Sequence, residues 1–343
     1  MLQNWLKGIS IKNEDFEKHQ LGSKVLLHHK NMPKLNKVKA VLIGIEAKES
    51  NAVRKELYAL SHQFPNFGIA DLGNVRKKEV SFIIPILREI LGTGRTLILI
   101  GKDLEWIKAQ QQAHRQTRKY TNNWLSIDDR VRLDGSFRAG HRIIIGGQKH
   151  LSSRADVQKI EKKNWEYYSL GSSRANLKAT EPSIRDADFA TFNMAALKSL
   201  EAPQQLSATP SGFFLEEACQ LTYYAGISDK LTAIGFYGFQ AAASDQRSPQ
   251  ALAQLIWYFL EGLYYRKQDY PVSKEGMAEY LVHIKKYDLT ITFWKSLKSG
   301  RWWLQLPNKK TQNRLIPCAY EDYQAAGQGE ISDRLLGILE RDK

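Results

Sequence analysis

Short apolar runs alternate along the chain with longer segments of helical period, the pattern of strand–helix–strand units that build a parallel sheet. Residues 41–45 (VLIGI) read as a buried strand and 51–64 as an amphipathic helix; 68–72 (GIADL) is a second short strand. Residues 80–91 have helical spacing, with Pro85 expected to kink or break the helix, because proline lacks the N–H and crowds the preceding turn. The clearest buried strand is 96–100 (TLILI), closed by Gly101, and helical spacing follows over 104–120. Further strands are expected at 124–127 and 142–145, where Gly146-Gly147 reads as a turn, with weaker strand signals at 165–170 and 190–194. Residues 216–225 predict a helix, 231–236 (LTAIGF) a strand, and 249–266 a strongly apolar helix with Ser248 as its N-cap. Pro203, Pro210 and Gly212 make 201–213 a loop.

After Pro271 the pattern changes. Residues 289–294 (LTITFW) and 301–306 (RWWLQL) are β-rich and flank a stretch whose Ser299-Gly300 suits a turn, so an antiparallel hairpin is expected at the sheet edge or over one face. No repeat, low-complexity segment or long linker forces a split into two domains. The expected organisation is an N-terminal arm (1–36), an α/β core (37–270), and a C-terminal hairpin and helix (271–343) packed on it, in one structural domain. A chain of 343 residues can bury a core of that size.

Composition changes this picture in one respect. The formal charge is +14, and the pI of about 9.5 agrees with it, which favours acidic surfaces or polyanions as partners. The basic residues are spread over 30–39, 76–78, 115–119, 159–163, Lys309 and Lys310, with no helix-turn-helix, RNP-type strand or zinc finger to turn charge into nucleic-acid recognition. The reading is a diffusely basic surface. Cys219 and Cys318 are too few and too far apart for a disulfide framework or a zinc site, and are expected as buried thiols. No apolar run approaches the ~20 residues of a membrane span, and the N-terminal stretch lacks a secretory signal, so a cytoplasmic location is expected.

Four segments carry candidate chemistry, in order: LILIGKDLEW, NWLSIDDRVRL, TFNMAALKSLEAP and LTAIGFYGFQ. Their order, spacing and context resemble the arginase, agmatinase and formimidoylglutamase (ureohydrolase) superfamily, as a divergent formimidoylglutamase-like branch covering nearly the whole chain. In active members one strand ends in G-G-D-H-S, the next carries D-A-H-x-D, a later one S-x-D-x-D-x-x-D-P-x-x-x-P, and a further strand supplies a glutamate near the substrate. The histidines and carboxylates of the first three hold two divalent cations, typically manganese, that activate a hydroxide. The resemblance implies a three-layer α-β-α fold with a mainly parallel sheet, extended here by the C-terminal β-hairpin, and an oligomer.

Residue by residue, the match is degraded. Gly101, Lys102, Asp103 and Leu104 occupy the first motif, so Leu104 stands where the ligand histidine is expected. In the second, Asp128 remains a conventional ligand, while Arg130 replaces the histidine and Arg132 the second aspartate. In the third, Asn193 and Ala195 replace the ligand aspartates, and Gly238 sits where the glutamate is expected. Two hard cations need several anionic or imidazole donors, and protonated guanidinium groups repel them. No metal cofactor is therefore expected, with manganese as the alternative. Two readings of the arginines remain open: Arg130 or Arg132, with Lys102, pairs with Asp128 and Asp103 in the old cation positions, or both arginines point outward. A sharper version has the basic residues bind an anionic ligand in a vestigial cleft.

Other candidates read as structural. His28-His29 is taken as a solvated basic loop, Asp186 and Asp188 as salt-bridge partners, and Trp302-Trp303 and Tyr264-Tyr265 as packing pairs. His114, His141 and Ser126 show no triad spacing. The function expected is that of a non-catalytic interaction or scaffold subunit with a protein partner. The alternatives are a divergent hydrolase of C–N bonds in guanidino or formimino substrates, or a basic protein binding nucleic acid or another polyanion.

Overall fold

The computed structural model describes residues 2–117, 122–132, 140–271, 273–305 and 315–341. The N-terminal arm contributes β1 (Leu6–Lys7) and β2 (Leu26–Leu27), and β3 (Val38–Gly44), α1 (Ala47–Ala59), β4 (Gly68–Val75), α2 (Val80–Leu91), β5 (Thr96–Ile100) and α3 (Trp106–Thr117) follow. Next come β6 (Trp124–Ile127), β7 (Arg142–Gly147), α4 (Arg154–Lys162), β8 (Glu166–Ser169), α5 (Leu170–Ala175), α6 (Glu181–Arg185) and β9 (Phe189–Asn193). Helix α7 (Leu215–Ile227), β10 (Ala233–Tyr237) and α8 (Arg247–Tyr264) complete the α/β part.

These strands form a ten-stranded sheet in the order β1-β4-β3-β5-β10-β9-β6-β7-β8, with β2 also paired to β4. Among the described residues of this sheet only β1 pairs antiparallel. The strands are apolar on both sides because helices cover both faces. All five residues of β5, β9 and β10 are buried. One face packs against α1, α7 and α8, where Val53, Leu57, Leu221, Leu252 and Phe259 join the core. The other packs against α2 and α3 through Ile83, Leu87, Trp106 and Ala113. Arg54 of α1 and Asp71 of β4 form a fully buried pair at 2.6 Å, which ties the first helix to its sheet.

Several local expectations change. Helix α2 runs through Pro85, whose ring lies on the exposed side, where one lost backbone hydrogen bond does not break the helix. Helix α8 begins at Arg247, so Ser248 lies inside it; the carboxylate of Asp245 accepts from the N–H groups of Arg247 and Ser248 and takes the capping role. Gly146 and Gly147 end β7 rather than forming a turn. His28 is buried, its Nδ1 2.9 Å from the Leu72 carbonyl, so only His29 fits the solvated loop expected for that pair. Cys219 and Cys318 are buried free thiols, and Asp186 and Asp188 share Lys230 as a salt-bridge partner. Residues 118–119, Lys309 and Lys310 of the basic runs lie outside the described residues, as do the ends of the 104–120 helix and the 301–306 strand. Among the described residues no helix is long and apolar enough to cross a membrane.

The C-terminal hairpin is the centre of a larger unit. Strands β11 (Met277–Ile284), β12 (Leu289–Ser296), β13 (Trp302–Gln305) and β14 (Leu315–Cys318) make a separate antiparallel sheet, followed by α9 (Tyr320–Gly327) and α10 (Asp333–Arg341). Its own core includes Ile291, Phe293, Trp302, Ile316, Leu335 and Ile338. Ionic contacts weld it to the α/β part. On the edge strand β8, Glu166 accepts from Arg334 of α10 at 3.0 Å, lies 3.0 Å from His141 Nε2, and accepts from the Ser183 hydroxyl. Burial raises the Glu166 pKa, but the Arg334 and His141 charges and bonds outweigh it and hold the carboxyl well below the usual range.

A depressed carboxyl pKa contributes stability that is complete above the unfolded value of about 4.3 and is lost as pH falls through the lower folded value. Urea unfolding from pH 7 down to pH 3 should therefore show the protein losing stability below about pH 5. Glu166→Gln should flatten part of that slope. At pH 7 the same variant should lose about 3–5 kcal/mol, because Arg334 stays buried without its carboxylate.

Candidate functional site

Four neighbouring strands, in the order β5-β10-β9-β6, end at the four sequence landmarks. Their registers align Ile100 with Phe236, Tyr237 with Asn193, and Ile127 with Phe192. Asp128, Asn193 and Gly238 thus stand side by side one or two residues past the last buried apolar positions, with Lys102 at the end of β5. In open parallel sheets the carboxyl ends of the strands are where ligands bind, because the helices leave that rim uncovered.

Asp128 and Asp129 leave β6 together and are both buried, at 3% and 0% exposure. Arg132 bridges them: Nε is 3.1 Å from Asp128 Oδ2 and Nη2 is 3.1 Å from Asp129 Oδ1. Arg130 grips Asp129 through Nη2 at 2.6 Å and Nε at 3.0 Å, and Nη2 also donates to the Ser207 hydroxyl at 2.9 Å. The amide of Asn193 donates to Asp128 Oδ1 at 2.9 Å, while its own carbonyl accepts from the Ala195 N–H. Burial pushes Asp128 up to about 7 against the pull of Arg132, with the adjacent Asp129 adding to the rise. For Asp129, burial is outweighed by the hydrogen bonds and charges of the arginines, and its pKa is lowered.

The remaining residues take other places. Lys102 and Asp103 make no ion pair with this cluster among the described residues, and the partner expected for Lys102 is replaced by a backbone contact. The Lys102 N–H donates to Glu46 Oε2 at 2.7 Å, and Trp106 Nε1 donates to Oε1 of the same carboxylate at 2.7 Å. Leu104 packs partly buried against the core on the α2–α3 face. Ala195 is buried. Gly238 has φ +90°, and a Cβ built there would lie 2.0 Å from Asn193 Oδ1.

Sequence reasoning missed three participants. Asp129 receives more guanidinium bonds than Asp128, and its only signal is the adjacent Asp-Asp pair. Glu46 carries no motif. Arg142, an arginine opening an otherwise apolar strand, is buried against Trp124 with its guanidinium carbon 4.0 Å from the ring centre.

A pair of divalent cations needs a set of carboxylate and imidazole donors converging on a small space. The two carboxylates here are spent on guanidinium groups, and Leu104 and Ala195 provide no donor atoms. Among the described residues no group of three or more His, Cys, Asp or Glu side chains is placed to hold a metal.

No protein-family model and no curated protein matches the sequence. Solved structures do match it. A formiminoglutamase from Trypanosoma cruzi with Mn2+2 superposes at a TM-score of 0.63 with 16% identity, over 73% of this chain and 100% of that one. The formimidoylglutamase of Bacillus subtilis gives 0.61 and 17% over 75% and 95% of the two chains. The agmatine ureohydrolase of Thermoplasma volcanium gives 0.56 and 13% over 74% and 97%. At these identities the likeness is one of fold, and it spans nearly the whole of each relative. The chain carries the arginase-like three-layer α/β fold of these structures.

Proposed function

We propose that this chain is a non-catalytic ureohydrolase-fold protein that acts through binding, as an interaction or scaffold subunit, with guanidinium groups in place of the divalent cations. The observation that carries the reading is Arg132 bonded to Asp128, the one conventional ligand left by the motif comparison. A guanidinium stays protonated at any physiological pH and opposes a cation at that carboxylate. The left-handed backbone at Gly238 supports the same reading, because a glutamate there would be strained and would collide with Asn193. The excess positive charge favours an acidic protein surface as the partner, and self-association into a homo-oligomer belongs to the same proposal.

A second reading keeps a hydrolase of guanidino or formimino substrates with a remodelled site. It is favoured by the match to nearly the full length of the formiminoglutamase and agmatine ureohydrolase structures.

Elemental analysis of protein purified from manganese-supplemented culture separates the two. We expect far less than one manganese per chain and no urea or formamide release from guanidino or formimino compounds. Stoichiometric metal together with product release would overturn the proposal. Gly238→Glu, which restores the residue type of active relatives, should gain no hydrolysis and should lose about 1–3 kcal/mol in denaturant unfolding.

A further inference from the structure

Among the described residues the helical layer over the α2–α3 face has a gap. Helix α3 covers the sheet as far as Trp124, and Ile160 of α4 packs on Val131 and Ile144 further along. Between them a cavity of about 240 Å³ opens over β6 and the start of β7, walled by Leu104, Ile107 and Trp124 and by the polar residues Ser126, Lys108 and Arg142.

Arg142 is the unusual member. It is 1% exposed, and its guanidinium lies over Trp124 at 4.0 Å and near Trp165 at 6.0 Å. Nη1 donates to the Arg132 carbonyl at 2.8 Å, but Nε has no acceptor, and no hydrogen bond is made by Nη2 among the described residues. Other deeply buried arginines are compensated. Arg54, Arg185 and Arg334 each have a carboxylate within 3.0 Å. Arg266 spends Nε and Nη2 on backbone carbonyls. Arg142 has no carboxylate at ion-pair distance among the described residues, and burial, only partly offset by the charges of Asp128 and Asp156, pulls its pKa down to about 9. A buried cation without a counter-charge is stabilised by any anion that can reach it.

We propose that this gap is a binding site for a small monocarboxylate with a flat apolar body, taken side-on by the Nε/Nη2 edge of Arg142. The edge left without protein partners is the one whose two parallel N–H groups match the two oxygens of a carboxylate. Trp124, Leu104 and Ile107 supply an apolar slot for the body. The volume equals about eight waters at ~30 Å³ each, enough for one six-membered ring and its carboxylate. Asp128 and Glu105 border the cavity together with Lys108 and Arg132, so apart from Arg142 the charged lining is balanced and calls for no second anionic group. Of the arginines singled out by sequence, Arg132 also borders the cavity but is bonded to Asp128 and Asp129, and Arg130 does not line it. The site does not depend on the non-catalytic reading: manganese at the strand ends would overturn that reading and leave Arg142 where it is.

The test titrates the full chain with sodium benzoate, with benzamide as the neutral isostere, following the unfolding midpoint and tryptophan fluorescence. Benzoate should raise the midpoint saturably by a few degrees at about a hundredfold excess over its Kd, and benzamide should not. Arg142→Gln should weaken benzoate at least about tenfold. If that variant does not fold, Ile107→Trp, which fills the gap and leaves Arg142 intact, should abolish binding. No saturable benzoate binding at millimolar concentration would overturn the proposal, as would equal binding of benzamide. Benzoate affinity unchanged in folded Arg142→Gln, or in Ile107→Trp, would overturn it as well.

Discussion

Two adjacent carboxylates buried at the end of a central parallel strand have to be balanced by positive charge, and the arrangement of the strand ends follows from how that is done. Asp128 and Asp129 stand where the sheet leaves its hydrophobic interior, and neither reaches bulk water. Their balance comes from within the same loop: Arg130 and Arg132 lie one to four residues further on, close enough to fold back over the dyad. Asn193 adds a further hydrogen bond to Asp128 from the neighbouring strand. With those bonds made, few polar atoms remain to hold anything at this point. That is why the most under-compensated charge nearby is not in the cluster but beside it, on Arg142.

The parallel sheet is what makes such a cluster buildable. Adjacent parallel strands all deliver their carboxyl ends to one rim, so residues far apart in sequence meet without long loops. Asp128 and Asn193 are 65 positions apart and share a hydrogen bond. The fold as a whole is shared with formiminoglutamase and agmatine ureohydrolase structures at 13–17% identity. Apolar strands and amphipathic helices can be replaced residue by residue while their periodicity persists, whereas site chemistry changes with single substitutions.

The C-terminal unit is joined on different terms. It has a core and a sheet of its own, and much of its attachment is electrostatic, through Arg334 with Glu166 and Arg185 reaching the carbonyls of Trp302 and Cys318. Both arginines are buried, so the junction depends on Glu166 staying ionised and on the two carbonyls staying in place.

Much of this was legible in the sequence. Uniform apolar runs such as TLILI mark strands covered on both faces, and the ordered landmarks place four strand ends together. Arg130 and Arg132, so close in sequence to Asp128 and Asp129, already place positive charge within reach of those carboxylates. Local periodicity carries that information because each strand or helix needs only its own residues to announce which side is buried. What it could not carry is which charges meet. Pairing of Arg132 with Asp128 rather than with solvent, the use of Glu46 by Lys102 and Trp106, the backbone of Gly238 turned to φ +90°, and the unmatched Arg142 beneath a gap in the helices depend on distances between segments. Sequence determined the layers and their order. Only the packed structure decided where burial leaves a charge uncompensated, because desolvation and Coulomb terms act through space and not along the chain.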